Sequence, residues 1–383
     1  MAKSAQKTEP PAPPPGAFVI PPPIEPMLAK SSEKLPRADR LMYEPKWDGF
    51  RAIVFRGGEH VYIQSRDLRP LDRYFPELHE LFLRELPDGC VLDGEIVIAT
   101  ERGLDFDMLQ QRLHPAASRV AKLASETPAA YVIFDALAYG GEDLRARPFE
   151  ERRATLERAF SEVAPPLHLT PVTRDVQLAE DWLKQFEGAG LDGVMAKPGA
   201  GSYEPGKRAM FKIKHSRTAD CVVAGFRWHK NGKGTLIGSL LLGLFDDQGG
   251  FHHVGVTSAF TMAKRAELVG FLAPLRENAL AEHPWREWAS PDADGGGTRM
   301  PGGQSRWNAG KDLSWEPLRL ELVCEVKYDH LQGDRFRHAA VFQRFRADKP
   351  PSACRYDQLE VTTPYELEKV FGAARSAQVP SSE

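Results

Sequence analysis

Short apolar runs, separated by glycine, proline and charged residues, predict a succession of strands and helices in the first half of the chain. Two β-rich runs between Leu41 and Gln64 flank Gly57-Gly58, which predicts a hairpin. An amphipathic helix is predicted over 76–86, with proline in its first turn. Further strands are predicted over 91–99, 130–137, 193–197 and 208–214, and further helices over 105–114, 149–160 and 176–187.

The pattern changes after Lys214, where short apolar runs alternate with glycine-rich turns. Five or so short strands with one helix are typical of a Greek-key barrel of the oligonucleotide-binding (OB) type. We therefore expect a domain boundary near residue 215. The predicted elements are short strands within 218–257, a helix over 262–281, a glycine-rich loop over 292–310, and strands over 318–328 and 338–346.

The two ends of the chain depart from this pattern. Residues 1–26 are rich in proline, and we expect them to form an extended, disordered lead that buries no core. Residues 363–383 are expected to form a C-terminal tail. The predicted domains are therefore 27–215 and 216–362.

Composition and charge restrict the class of protein. The net charge of -3 gives no global sign of a polyanion partner, but the Lys- and Arg-rich segment 207–233 favours local phosphate contact over a merely solvated face. The four cysteines form no Cys-x-x-Cys pair, which argues against a zinc site and favours a reducing compartment. No run approaches the roughly 20 apolar residues of a membrane helix. We expect a monomeric, cytoplasmic enzyme without membrane contact, nucleoid-associated if its source is bacterial.

Candidate chemistry begins at Lys46, in a Lys-x-Asp-Gly-x-Arg segment that also contains Asp48 and Arg51. By itself the segment fits a surface lysine beside an Asp-Gly turn equally well. A lysine nucleophile needs a pKa below its reference value of about 10.4, and nearby cations or desolvation lower it. Lys212 and Lys214 lie two apart on a predicted strand and share one face, although such lysines also protect sheet edges. The nucleophile hypothesis predicts that basic residues of this kind lie near Lys46.

Carboxylates on apolar strands are a second signal. Asp93 and Glu95 lie two apart on an otherwise apolar strand and need a partner such as a metal, a sugar hydroxyl or a base. Asp192 repeats the pattern on a later strand that ends at Lys197. Phe134 closes another apolar run, where it belongs to the core by default and only secondarily to a base-stacking platform. Each feature has an ordinary explanation, and it is their joint occurrence that indicates a site.

In this order, the segments resemble the motifs of the covalent nucleotidyltransferase superfamily, which contains DNA ligases, RNA ligases and mRNA-capping guanylyltransferases. The resemblance covers nearly the whole chain after Pro26 and is closest to short bacterial ATP-dependent DNA ligases of the C-type repair branch. It implies an α+β fold, in which an adenylation (nucleotidyltransferase) domain with mainly antiparallel sheets precedes an OB-fold β-barrel. The segments that carry it are 46–51, 65–66, 93–95, 134–135, 192–197, 212–214 and 337–349.

The resemblance also implies roles for single residues, with ATP and Mg²⁺ (or Mn²⁺) as cofactors. Lys46 would attack the α-phosphate of ATP and carry AMP to the DNA. For the nucleotide, the resemblance implies adenine binding by Glu44 and Phe134, ribose binding by Arg51 and Glu95, general nucleotide binding by Lys197, and α-phosphate binding by Lys212 and Lys214. It implies metal binding by Asp192 and Glu95, and orientation of pyrophosphate by Arg346. For the DNA, it implies that Arg66 binds the 5′-phosphate and that Asp48 assists sealing.

Two departures from the motifs are visible. Asp192 stands where the family usually has Glu, and its side chain is one methylene shorter, which favours water-mediated metal binding. Ala339-Ala340 stand where the last motif often contains proline. The predicted function is an ATP-dependent DNA ligase that seals nicked double-stranded DNA in repair, alone or with other repair proteins. A GTP-dependent capping-type guanylyltransferase, an RNA ligase and a catalytically inactive OB-fold nucleic-acid-binding protein are the alternatives.

Overall fold

The computed structural model describes residues 14, 16–101, 103–215, 217–289, 314–329, 331–359 and 365–376. The chain forms two compact units, residues 1–214 together with 362–383, and residues 215–361. The predicted glycine-rich loop 292–310 lies outside the described residues. Among the helices that are described, none is both long enough and apolar enough to cross a membrane.

The first unit contains two large sheets with helices packed against them. Its strands are β1 (Leu28–Ser32), β2 (Leu41–Lys46), β3 (Phe50–Gly57), β4 (His60–Ser65), β5 (Cys90–Val97), β6 (Ala99–Thr100), β7 (Gly103–Leu104), β8 (Ala130–Tyr139), β9 (Glu142–Asp143), β10 (Leu167–Leu169), β11 (Gly193–Pro198) and β12 (Arg208–Ile213). The helices up to this point are α1 (Pro76–Glu85), α2 (Phe106–Gln111), α3 (Ala117–Glu126), α4 (Phe149–Phe160) and α5 (Val176–Gln185). Helix α3 was not predicted, and Val120 is its one buried residue.

Both sheets are mainly antiparallel, as predicted. One has the strand order β1-β12-β11-β2, and the other has the order β10-β8-β5-β3-β4 with β9 paired to β8. Two pairs, β1 with β12 and β10 with β8, are parallel. The second sheet is covered on both faces, since Val54 and Leu92 belong to one apolar cluster while Ile53, Phe55 and Val91 belong to another. This double burial accounts for the nearly continuous apolar runs in β3, β5 and β8.

Part of the proline-rich lead covers one of these faces. Phe18, Ile20 and Ile24 are 8%, 2% and 5% exposed and pack in the same cluster as Ile53 and Phe55. The prediction that residues 1–26 bury no core is therefore wrong for this part. An extended segment cannot build a core of its own, but apolar residues between its prolines can complete a core that a sheet has already formed.

The second unit is a curled antiparallel sheet. Its described elements are β13 (Arg217–Trp228), β14 (Ile237–Phe245), β15 (Phe251–Thr257), α6 (Met262–Leu272), β16 (Glu316–Pro317), β17 (Val323–Tyr328), β18 (Leu331–Gln332), β19 (Arg335–Phe336) and β20 (Val341–Phe345). The strand order is β15-β14-β13-β17-β20, and the Ala340 N–H donates to Val256 O, so the start of β20 meets the end of β15. A five-stranded sheet that closes in this way is an OB-fold barrel, which confirms the predicted fold class.

Two predictions about helices in the later part of the chain need correction. Helix α6 ends at Leu272 rather than at residue 281, because Pro274 lies in the following 3₁₀ turn and cannot continue the helix. Residues beyond 362 are not simply a tail, since helix α7 (Leu367–Ser376) belongs to the first unit and buries Leu367 and Val370 there.

Candidate active site

An open pocket lies in the first unit, between residues of its two sheets. One sheet supplies lining residues from β1, β2, β11 and β12, and the other supplies them from β3, β5 and β8. The structure therefore brings together most of the site residues that the sequence predicted. Those that line the pocket are Glu44, Lys46, Arg51, Arg66, Glu95, Phe134, Lys197, Lys212 and Lys214.

Lys46 is the last residue of β2, and its amine faces a neighbouring carboxylate. Lys46 Nζ lies 2.5 Å from Asp192 Oδ2, and Lys214 Nζ lies 2.9 Å from the same oxygen. The two lysines hold the pKa of Asp192 below its ordinary value, although burial alone would raise it. Burial, followed by the charges of Lys214, Lys46 and Arg66, lowers the pKa of Lys212. The cluster of cations that the nucleophile hypothesis required is present.

Two glycines allow the backbones to approach closely enough to form this cluster. A Cβ on Gly49 would lie 2.2 Å from Ile96 O, so the Asp-Gly pair after Lys46 tolerates no side chain there. Gly193 follows Asp192, has a φ of +134° and would place a Cβ 2.0 Å from Ile213 O. The Asp192 N–H donates to Lys46 O at 2.8 Å, which fixes the two segments against each other.

A second ion pair lies deeper in the pocket wall. Lys197 Nζ is 2.6 Å from Glu44 Oε2, and the side chains are 4% and 2% exposed. The Lys197 ammonium also donates to Phe134 O at 3.3 Å and lies 4.7 Å and 4.6 Å from the ring centres of Phe134 and Phe149. Burial raises the pKa of Glu44, and Lys197 opposes this shift. The other carboxylate oxygen, Glu44 Oε1, is buried and has no hydrogen-bond partner among the described residues.

Phe134 reaches the pocket because of a β-bulge. Along the β5–β8 pair, Asp93 is opposite Asp135 and Gly94 is opposite Ile133, so Phe134 is the extra residue. A bulge of this kind redirects a side chain, here out of a strand in which the neighbouring residues are buried. The ring lies half-buried at the pocket, with the Arg51 guanidinium 5.6 Å from its centre.

Asp93 needs neither a metal nor a sugar as its partner. The Arg51 guanidinium binds both Asp93 oxygens, at 3.0 Å and 2.6 Å, and the Tyr203 hydroxyl donates to Asp93 Oδ2 at 2.7 Å. Asp93 is completely buried, so its charge is balanced within the protein. The structure therefore assigns Asp93 to the orientation of Arg51, and the partner that this buried carboxylate was expected to need lies within the protein.

Of the two carboxylates that were predicted to bind a metal ion, Glu95 lines the pocket and Asp192 contacts two of the pocket lysines. Burial raises the pKa of Glu95 to about 8, while Lys46 and Arg51 oppose the shift and Asp48 adds to it. No cluster of three or more His, Cys, Asp or Glu suited to a metal occurs in the described part of the chain. Mg²⁺ is commonly held by one or two carboxylates together with water and substrate phosphates, and the residues here fit that arrangement rather than a cage of protein ligands.

Arg346 lies in the second unit, where it is already paired. Its guanidinium contacts both Asp220 oxygens at 3.1 Å and Asp348 Oδ2 at 2.8 Å. Lys349 Nζ also contacts Asp220, at 2.8 Å. Arg346 therefore already has carboxylate partners on two sides of its guanidinium.

Several residues that line the pocket or hold its side chains were not predicted as parts of the site. Met195 and Met210 add apolar wall, and Arg208 lines the pocket while it donates to Ala29 O at 2.9 Å. Tyr203, which holds Asp93, lies in a loop that no motif marks. Alternation along β11 and β12 could have identified the two methionines, because they share a strand with Lys197 or Lys212 two positions away.

The chain is similar in sequence to known DNA ligases. Family models of the ATP dependent DNA ligase domain and of the ATP dependent DNA ligase C terminal region match residues 26–214 and 233–349. The chain is 55% identical to DNA ligase C2 of Mycolicibacterium smegmatis over 88% of this chain and 95% of that relative. It is 54% identical to DNA ligase C of Mycobacterium tuberculosis over 88% of this chain and 94% of that relative.

Among solved structures, a Lig E DNA ligase shares 18% identity and a TM-score of 0.51 over 84% of this chain and 98% of that one. At this identity, the likeness supports a common fold. The high identity to the two mycobacterial proteins extends through both units. The chain belongs to the ATP-dependent DNA ligases.

Proposed function

We propose that the protein seals nicks between a 3′-hydroxyl and a 5′-phosphate in duplex DNA, and that Lys46 carries AMP during the reaction. The observation that carries this proposal is the pocket itself, in which the Lys46 amine lies among Lys212, Lys214 and Arg66. The two mycobacterial relatives are named DNA ligases, which supports the same reaction.

The base-binding end of the pocket favours adenine. Glu44 Oε1 is a buried acceptor without a partner among the described residues, and the adenine 6-amino group is a donor. Guanine presents an acceptor oxygen at that position, so two acceptors would face each other. Phe134 would stack on the base, which stabilises binding without choosing between purines. This argues for ATP over GTP and therefore against a capping-type guanylyltransferase.

The phosphate end of the pocket suits the first step. Lys46 reacts as the neutral amine, so its ammonium group first loses one proton to solvent. The Nζ lone pair then forms a bond to the α-phosphorus, the bond from that phosphorus to the bridging oxygen of pyrophosphate breaks, and pyrophosphate leaves with the electron pair. The nitrogen releases a second proton to solvent, which leaves the phosphoramidate. Lys212 and Lys214 would bind the α-phosphate oxygens, where charge changes during transfer. Arg51, held by Asp93, would contact the ribose together with Glu95.

Asp192 and Glu95 would hold Mg²⁺ or Mn²⁺ beside the phosphates. Such an ion supplies positive charge that stabilises the transferred phosphoryl group. Because Asp192 Oδ2 already contacts the Lys46 and Lys214 ammonium groups, Asp192 would exchange part of that pairing for the metal or its water. A shorter Asp in place of the usual Glu fits contact through water.

The later steps would use other parts of the chain. Arg66 at the pocket would bind the DNA 5′-phosphate that receives AMP, and Asp48 would assist the attack of the 3′-hydroxyl. Arg346 would leave its carboxylate partners to orient pyrophosphate in the first step. We further propose that the enzyme acts as a monomer on cytoplasmic DNA, in repair and together with other repair proteins.

The test is covalent labelling. Wild-type protein incubated with α-labelled ATP and Mg²⁺ should become labelled, and addition of nicked DNA should release the label and yield sealed product. Lys46→Ala should abolish labelling. Lys122→Ala, at an exposed lysine of α3, is the matched control and should label normally.

Three outcomes would overturn the proposal. Label from GTP alone would indicate a guanylyltransferase, and sealing of RNA but not of nicked DNA would indicate an RNA ligase. DNA binding without any label on the wild-type chain would indicate an inactive binding protein.

A further inference from the structure

The C-terminal helix α7 packs beside the segment that carries Lys46. Leu367 and Val370 are 7% and 0% exposed and belong to the same apolar cluster as Trp47 and Phe186. Tyr365, just before the helix, lies 5.4 Å from the Phe186 ring centre. The second unit is thus followed in sequence by a helix that returns to the first unit.

Phe371 of α7 is the middle ring of a three-ring stack. Its centre lies 5.2 Å from Trp47 at an interplanar angle of 12°, and 3.8 Å from His168 at 13°. Parallel rings at this spacing attract one another beyond the burial of their area. Burial lowers the pKa of His168 to about 4, so its imidazole is uncharged at neutral pH and stacks as a neutral ring.

Trp47 connects this stack to the pocket. It directly follows Lys46, lines the pocket and is 4% exposed. Its indole N–H donates to Thr170 Oγ1 at 2.8 Å, so one edge of the ring is fixed by the β10 side of the fold. Phe371 holds a face of the same ring. The side chain adjacent to the nucleophile is therefore held by one polar contact and one ring from the far end of the chain.

We propose that Phe371 is a positioning residue for adenylation of Lys46, acting through Trp47. This inference rests on the proposed function. The Asp192 N–H holds the Lys46 carbonyl on one side, and the stacked Trp47 restrains the backbone on the other. Transfer to Lys46 requires its amine to stand in line with the leaving pyrophosphate, and the rate of such a reaction falls steeply when the reacting atoms are displaced.

A purely structural role for α7 makes a different prediction. If the helix only stabilises the first unit, every substitution in it should lower stability and activity together. A positioning role predicts a defect confined to steps in which the Lys46 amine reacts. Sealing of a nick that already carries AMP does not use the Lys46 amine as a nucleophile, so this step separates the two roles.

The experiment uses the full chain with three substitutions in α7. Phe371→Leu removes the ring but retains an apolar side chain, Phe371→Tyr retains the ring, and Leu367→Ala removes a buried side chain of the same helix that forms none of the ring stacks. For each variant, the measurements are the melting temperature, the single-turnover rate of Lys46 labelling at saturating ATP, the KM for ATP, and the sealing rate on a pre-adenylated nick.

Phe371→Leu should slow labelling at saturating ATP by about 10-fold or more with little change in KM, while sealing of the pre-adenylated nick stays within about 2-fold of wild type. Phe371→Tyr should restore labelling. Leu367→Ala should lower the melting temperature at least as much as Phe371→Leu does, but its Lys46 should be labelled faster than Lys46 of Phe371→Leu. The proposal is overturned if labelling tracks melting temperature across the three variants or if Phe371→Leu labels normally. Failure of wild-type protein to label would instead refute the proposed function.

Discussion

Replacing Lys197 by methionine removes the positive partner of Glu44 and keeps an unbranched side chain in the same space. The pair is short, at 2.6 Å, and both side chains are almost fully buried. Removing one member of a buried ion pair typically costs about 3–5 kcal/mol, because the remaining charge is left in a poorly polarisable environment. For a unit of this size, that loss corresponds to a fall in melting temperature of roughly 6–20 °C.

The direction of the pH dependence follows from Glu44. Burial already raises the pKa of Glu44 in the folded protein, and removing Lys197 removes a group that lowers it. A carboxyl whose folded-state pKa is raised contributes stability that is present below its unfolded-state pKa, about 4.3, and is lost as the pH rises through the folded-state value. The deficit of Lys197→Met should therefore be larger at pH 8 than at pH 5.

The assay is urea unfolding at both pH values, with two comparison variants. Lys122→Met breaks an exposed i,i+4 pair with Glu126 and should change the free energy of unfolding by less than about 0.5 kcal/mol. The double variant Glu44→Leu with Lys197→Met removes both buried charges and should recover stability without recovering ATP binding. If Lys197→Met is no less stable than Lys122→Met, or if its deficit does not depend on pH, the electrostatic reasoning is wrong.

Four further predictions concern single residues. Phe134→Leu should raise the KM for ATP roughly 5–150-fold, since stacking on a base contributes about 1–3 kcal/mol, and an unchanged KM would remove Phe134 from base binding. Arg346→Ala should slow labelling of Lys46 by about 100-fold and spare sealing of a pre-adenylated nick, and equal loss in both assays would contradict its assignment to pyrophosphate. Asp192→Asn should raise the Mg²⁺ concentration for half-maximal labelling about 10-fold or more, which a metal titration measures. Because the pKa of His168 is lowered to about 4, the free energy of unfolding should fall as the pH drops from about 6.5 to 4. In urea unfolding, this fall should be smaller for His168→Phe than for wild type by up to about 3 kcal/mol.

The pocket could be predicted from the sequence because its residues are charged residues in apolar surroundings. A lysine at the end of a strand and two more lysines two positions apart stand out against the apolar pattern, whichever way the strands pair. Their convergence on Asp192 depends on β2, β11 and β12 being neighbours, which strand periodicity does not reveal. The order of the motifs indicated that these residues lie together, and the ion pairs of Lys46 and Lys214 with Asp192 agree with that arrangement.

Alternation along a strand was a weaker guide to where each side chain points. Asp93 and Glu95 lie two apart on β5, yet Asp93 is sealed inside with Arg51 while Glu95 lines the pocket. Opposite them, the bulge at Phe134 shifts the register between Asp93 and Gly94. An apolar run contains no sign of a bulge, because the extra residue is as apolar as its neighbours. Which of the two carboxylates is buried and which lines the pocket therefore depends on how the strands pair.

Helix α7 shows a different limit. Leu367, Val370 and Phe371 have helical spacing, and this apolar stripe was missed when residues 363–383 were expected to form a tail. The spacing also does not say what covers the stripe, because it is local and the covering surface is more than 300 residues away in the chain at Trp47. Trp47 raises the matching question, because it is a large apolar side chain beside Lys46 at an open pocket. Phe371 and Trp47 cover each other, so an apolar stripe of α7 bears on the geometry that we propose for Lys46.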